Sequence, residues 1–364
     1  MIFLVDGRHV AILCKEDSKI QLWSTDNGRL EKIQQSQMEH DAAVRVIAAS
    51  NNGKWIVSGN VAGVVVIWNA TTHPIPRMGE FEVAKGAKSE ITALDISPDS
   101  SRIAIGSADG TMVVWSVERW AHILGPLQSS NVSKSLAPVS SMKFSPAGGR
   151  IASSHLETGN GNPSIQLWNS RTGTWLVSIG SPHSTYSLAW SVSSHRLFAG
   201  GSGGSIRYFD VETQDSSECR GPSFRDHISS LCVSNSGQLL VSVSSGRTNA
   251  IDVWNVRRVP PSPGESLHPH NDIRMAFASP DDARLITVRD NDIALWCFPT
   301  LKATTVTVLS LLVTFTFPDS ILGTVKRWSN IFGSPHRAGY CIPWAGKVRG
   351  SQECLPVCTQ PLRK

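Results

Sequence analysis

Charge is scarce in this chain, at 17% of its 364 residues, and tyrosine occurs only three times. Hydrophobic residues reach 40%, so the composition is that of a folded chain rather than a disordered one. Long apolar runs are also lacking. The uncharged stretch 303–318 has 16 residues, fewer than the roughly 20 a spanning helix needs. It is rich in Val and Thr, and it reads as one or two buried strands. The start, MIFLVDGRHVAIL, has no basic region ahead of an apolar one, which predicts no signal peptide and an intracellular, cytoplasmic or nuclear protein.

Several chemistries are missing as well. The cysteines number seven, an odd count, and Cys14, Cys219, Cys232 and Cys297 stand singly, so no disulfide framework is expected. His336, Cys341, Cys354 and Cys358 have spacings of x4, x12 and x3. Zinc sites bring ligands in tighter pairs, so no metal is predicted. No G-x-S-x-G occurs. The glycine-rich stretches SGNVAG, GGSGGS and ETGNGNPS lead into strands, whereas a phosphate cradle leads into a helix, so no cofactor is expected. Positive charge is confined to one end. From Lys326 onward seven basic residues face one acidic residue, a net of +6 against +5 for the whole chain, so the remainder carries −1. No basic stripe recurs along the body, which disfavours a nucleic-acid partner.

What the chain does have is a period. Seven segments close an apolar run on an aromatic: IQLWS, VVIWN, VVVWS, IQLWN, IRYFD, IDVWN and IALWC. Their aromatics are Trp23, Trp68, Trp115, Trp168, Phe209, Trp254 and Trp296, spaced 45, 47, 53, 41, 45 and 42 residues apart. A unit of that length cannot bury its apolar face alone and must stack on its neighbours. Residues 91–115 show the grammar of one unit. Ile91 to Ile96 alternate as a strand, Ser97-Pro98-Asp99-Ser100 is a turn, and Arg102 to Gly106 is a second strand. Ser107-Ala108-Asp109-Gly110 is a tight turn, Thr111 to Trp115 is a third strand, and Trp120 to Leu127 supplies a fourth.

The linked recurrence of these two turns and of the W-N or W-S ending resembles the WD-repeat β-propeller family, over roughly residues 1–328. The resemblance implies an all-β, seven-bladed propeller of four-stranded antiparallel blades. The expected organisation is a propeller over 1–317, a shortened eighth repeat over 318–333 ending at Trp328, and a disordered basic tail over 334–364. The stretch 302–317 is expected to complete the seventh blade, leaving closure of the ring to side-chain packing.

The resemblance also implies a hydrogen-bonded network of His, Ser or Thr, Asp and Trp within a blade. The matching residues are His40, Ser58 and Trp68, with Ala62 where Asp is expected, and His270, Thr287, Asp290 and Trp296. A His, a hydroxyl and an Asp together suggest a hydrolase triad. Partial repetition from blade to blade argues instead for a structural role, because an active site is needed once. The expected partner-binding face carries Asp41, Glu90, Asn160, Asn162, His183 and Asp272. Trp120, Trp175 and Trp190 are expected to pack in or between blades.

The function expected is that of a non-catalytic scaffold for protein or peptide partners within a multiprotein assembly. It has no small-molecule substrate and no membrane. The alternatives are a nucleic-acid-associated propeller in RNA processing or chromatin, and a decayed repeat protein without a stable function.

Overall fold

The computed structural model describes residues 2–311 apart from 14–17, 25–30, 73, 84–88, 128–136, 157–163, 221–225, 247–248, 258–260, 268–272, 283, 290–292 and 298–308. The shortened eighth repeat and the basic tail therefore lie outside the described residues. Residues 1–311 form one compact unit.

The described residues build seven four-stranded antiparallel sheets, each a meander in chain order. The second sheet is typical: Val44–Ala49, Trp55–Asn60, Val64–Asn69 and Arg77–Glu82. The first begins with only two residues, Ile2–Phe3, before His9–Leu13, Lys19–Ser24 and Glu31–Glu39. The seventh ends on Leu309–Leu311, which pairs with Ile293–Cys297 and falls inside the stretch expected to finish that blade. The first strand of each sheet lies beside the first strand of the next, and Ile2–Phe3 lies beside Ile273–Ala278. The protein is an all-β propeller, and among the described residues no strand from one end of the chain joins a sheet of the other end.

The core sits in the seams between sheets. Leu4, Ala11, Ile20, Leu22 and Met38 of the first sheet pack against Val44, Ile47, Ile56, Val66 and Trp68 of the second. Separate buried clusters fill the seams from the second sheet to the seventh. The closing aromatic of a unit faces the preceding sheet. Trp115 shares a buried cluster with Val57, Val65 and Ile67, Trp168 with Ala93 and Ala104, and Trp254 with Phe198 and Tyr208. An aromatic of 150–250 Å² buried at about 25 cal/mol/Å² contributes roughly 4–6 kcal/mol as an upper figure. The repeating aromatic is thus a large single contributor to each seam it enters.

Small residues let the sheets approach. A Cβ on Gly59 would lie 2.5 Å from Ile91 Cγ2 of the next sheet, one on Gly106 2.6 Å from Val139 Cγ1, and one on Gly200 2.6 Å from Ile228 Cγ2. These glycines lie in second strands and act as seats for a β-branched side chain of the following sheet. Trp120 packs between two sheets from their outer rim. It is 41% exposed, at φ +51°, with its ring over Gly79 of the preceding sheet's outer strand. The fourth strand starts only at Ala121, so Trp120 belongs to the turn before it. Trp190 is buried and donates from Nε1 to Lys143 O across a seam, at 3.1 Å.

Candidate interaction face and internal hydrogen-bond network

In an antiparallel meander, the turn after the second strand and the segment entering the first strand share one end of the sheet. Asp41, Glu90 and His183 all sit just before a first strand and so reach that end. Asp41 and His183 are exposed. Glu90 accepts from Arg45 Nε at 2.7 Å, tying the entry of the third sheet to the first strand of the second. Both partners are partly exposed, so the pair is worth at most about 1 kcal/mol. His183 lies over Gly203, where a Cβ would come within 2.3 Å of its ring. Beside it is a shallow, open hollow whose lining includes Ser181, Ser184, Ser205 and Arg207. Asn160, Asn162 and Asp272 lie outside the described residues.

The polar network runs inward from the same end. Trp68 Nε1 donates to Ser58 Oγ at 2.7 Å, and Ser58 Oγ lies 2.6 Å from His40 Nε2. Register explains the meeting. Ile56 stands opposite Trp68, so Ser58, two residues further along its strand, is diagonal to the indole and on the same face. With its oxygen accepting the indole N–H, the Ser58 hydroxyl is free to donate to Nε2. The imidazole proton then sits on Nδ1, which has no partner among the described residues. The resemblance places an Asp at the position of Ala62, and an orphaned Nδ1 is what its absence would leave. Burial pulls His40 down to about 4; Arg77 adds to the shift and Asp41 opposes it.

The diagonal recurs. Trp168 Nε1 donates to Ser153 Oγ at 2.9 Å, and Trp254 Nε1 donates to Ser242 Oγ at 2.8 Å. In the fourth sheet a histidine reaches the serine from its own strand, with His155 Nε2 at 3.1 Å from Ser153 Oγ. Sequence reasoning does not single out Ser153, Ser242 or His155, although the two serines stand to Trp168 and Trp254 in the strand register as Ser58 stands to Trp68. The diagonal place holds Ala199 where the aromatic is Phe209, which has no N–H to satisfy. It holds Ile105 in the third sheet, and Trp115 Nε1 is buried there with no partner among the described residues. Trp115 instead stacks on Phe81, with centroids 3.6 Å apart and planes 3° apart.

In the last sheet Thr287 occupies the same diagonal and is buried, and Trp296 lies in the third strand. His270 and Asp290 lie outside the described residues. His227 is exposed and faces Ser245 at 2.9 Å, while Tyr186 meets it edge to face. Asp109 serves its own turn. Burial would raise its carboxyl, but bonds from Ser107, Thr111 and Ser89 outweigh burial and hold it below the usual carboxylate range. Among the described residues no three His, Cys, Asp or Glu side chains are grouped to hold a metal.

The Ser58–His40 pair has the contact of a nucleophile and its base, but Ser58 is fully buried and His40 is 3% exposed. What the arrangement does is satisfy an indole N–H and brace the second strand against the third and against the entry segment.

A family model for the "WD domain, G-beta repeat" matches residues 31–69 and 80–116. Each match takes the fourth strand of one sheet and the first three of the next. Residues 31–69 and 80–116 thus match WD repeats, in keeping with the family that the sequence resembles. Human WD repeat-containing protein 18 is 24% identical over 280 residues, covering 70% of this chain and 59% of that protein. Arabidopsis thaliana cell division cycle 20.1, cofactor of APC complex, is 24% identical over 53% of this chain and 40% of its own length. Schizosaccharomyces pombe protein hir1 is 27% identical over 50% of this chain and 22% of its own. The chain spans less than two thirds of each. In both matched repeats the repeat frame is offset by one strand from the sheet, so each ties two neighbouring sheets together.

Proposed function

We propose that this WD-repeat chain is a non-catalytic scaffold that holds a protein or peptide partner at the end carrying Asp41, Glu90 and His183. The observation that carries the reading is how polar chemistry is distributed. The Ser, His and Trp groups that resemble catalytic machinery are buried and repeated, whereas the entry segments at this end expose separate charged and polar side chains. Ligand pockets usually enclose 300–1,000 Å³, whereas the shallow hollow beside His183 has room for little more than a water molecule. The relative described as a cofactor of the APC complex supports a role within an assembly.

The test is affinity capture of the tagged chain with mass spectrometry, in parallel with a triple variant, Asp41→Lys, Glu90→Lys and His183→Ala. The reading expects proteins captured by the parent and lost by the variant at an unchanged unfolding midpoint. It is overturned if the captured set is unaffected by these changes, or if capture requires nucleic acid.

A further inference from the structure

We propose that the seven turns joining first and second strands form one closed collar, in which Ser100, Ser194 and Asp282 are clasps across the seams.

The turn is the same in every sheet. The N–H of its fourth residue donates to the carbonyl of its first: Gly7 to Leu4, Gly53 to Ser50, Ser100 to Ser97, Gly148 to Ser145, Ser194 to Ser191, Gly237 to Ser234 and Asp282 to Ser279. That fourth residue has positive φ in all seven, at 64°, 69°, 61°, 71°, 63°, 69° and 55°. Glycine is the residue suited to this conformation, and four turns use it. Three turns do not, and each of those three makes a bond that glycine cannot.

Ser100 Oγ accepts from Asn52 N at 3.2 Å, and Ser194 Oγ accepts from Ala147 N at 2.8 Å. Asp282 accepts from Asn235 N and Ser236 N, both at 2.6 Å. Every donor is in the matching turn of the preceding sheet. Ser100 and Ser194 are 4% and 6% exposed, so their hydroxyls are enclosed at the joint.

The four glycines mark the other seams, and there the preceding turn offers an apolar side chain. A Cβ at Gly53 would lie 3.7 Å from Val5 Cβ, at Gly148 3.7 Å from Pro98 Cδ, and at Gly237 3.0 Å from Val192 Cγ2. At Gly7 it would lie 3.9 Å from both Pro280 Cδ and Asp281 Oδ2, so this seam has a carboxylate beside its apolar contact. The seams alternate in chain order from the first: apolar, bonded, apolar, bonded, apolar, bonded. The seventh, between Pro280 and Gly7, joins the two ends of the chain. The turns thus form three clasped sheet pairs, linked to each other and to the first sheet by packing over glycine, with Arg102 of the third sheet also donating to Gly148 O of the fourth at 3.3 Å.

Ser100→Gly, Ser194→Gly and Asp282→Gly separate a clasp from an ordinary turn residue. A residue that merely tolerates positive φ is relieved by glycine, and the unfolding midpoint rises. A clasp is lost, and the midpoint falls. Amide exchange supplies the second readout, because each bond protects the preceding sheet. Ser100→Gly is expected to speed exchange at 50–54 by roughly three- to tenfold, the worth of one net hydrogen bond. Ser194→Gly acts likewise at 145–149 and Asp282→Gly at 234–238. A raised midpoint, or unchanged exchange in the preceding turn, overturns the proposal.

Discussion

Replacing each closing tryptophan by phenylalanine measures what the serine diagonal contributes. The substitution removes similar apolar area in each sheet, about 40 Å² or roughly 1 kcal/mol at 25 cal/mol/Å². The indole N–H makes the difference. In Trp254→Phe the hydroxyl of Ser242 loses its donor inside the core, and in Trp168→Phe the hydroxyl of Ser153 loses its donor and keeps only His155, which places that variant at the lower end of the range. An unsatisfied buried polar group costs about 1–3 kcal/mol, so each of these variants should lose roughly 2–4 kcal/mol. Trp115→Phe removes an N–H that is already orphaned and keeps a ring to stack on Phe81. Its cost should lie near zero, with the desolvation recovered offsetting the area lost. The chain carries its own precedent in Phe209, whose diagonal place holds Ala199. Urea unfolding of the three variants reads the gap, which should be about 2 kcal/mol or more. Equal losses, within about 0.5 kcal/mol, would refute the reasoning.

Other predictions concern His40 and the glycine seats. His40 sits at about 4 in the folded chain against 6.5 ordinarily, so the unfolded chain binds its proton first as pH falls. Stability from this group is complete above about pH 6.5 and is lost between there and pH 4, by up to roughly 3 kcal/mol. Ala62→Asp supplies an acceptor for Nδ1 if the family's network forms. It should raise the His40 pKa and flatten that acid limb, while an unchanged limb would show that the introduced carboxylate does not reach Nδ1. Gly106→Ala forces a methyl against Val139 Cγ1 and should cost about 1–3 kcal/mol in urea unfolding, whereas Gly149→Ala, with nothing within 4 Å of the added Cβ, should cost much less.

Much of the fold is legible in the sequence because the aromatic endings, the turns and the strand alternation agree on one frame. Trp68, Ser58 and His40 can be matched by position, and the structure brings them within hydrogen-bond distance. Ser153 and Ser242 are harder to find because their partner is diagonal across a strand pair, and register is not visible in a linear string. Gly59, Gly106 and Gly200 read as strand or turn residues, but their role is set by a β-branched side chain of the following sheet. Ser100, Ser194 and Asp282 look like routine turn residues beside Gly53 or Gly148. Only positive φ and a neighbouring N–H show what they hold. Trp120 packs between two sheets as expected, but it lies in the turn before the fourth strand and covers Gly79 from outside.

The central claim is a ring closed by packing between the two ends of the chain, and paired cysteines test it most directly. Val5→Cys with Gly53→Cys is the internal standard, since the Cβ separation of 3.7 Å suits a disulfide between the first two sheets. Gly7→Cys with Asp281→Cys probes the closing seam, where a Cβ at Gly7 would lie 4.0 Å from Asp281 Cγ. The account predicts that mild oxidation of the monomer gives both linked peptide pairs in a non-reducing digest. A link between positions 5 and 53 without one between 7 and 281, or a 7-to-281 link found only between molecules, would contradict it.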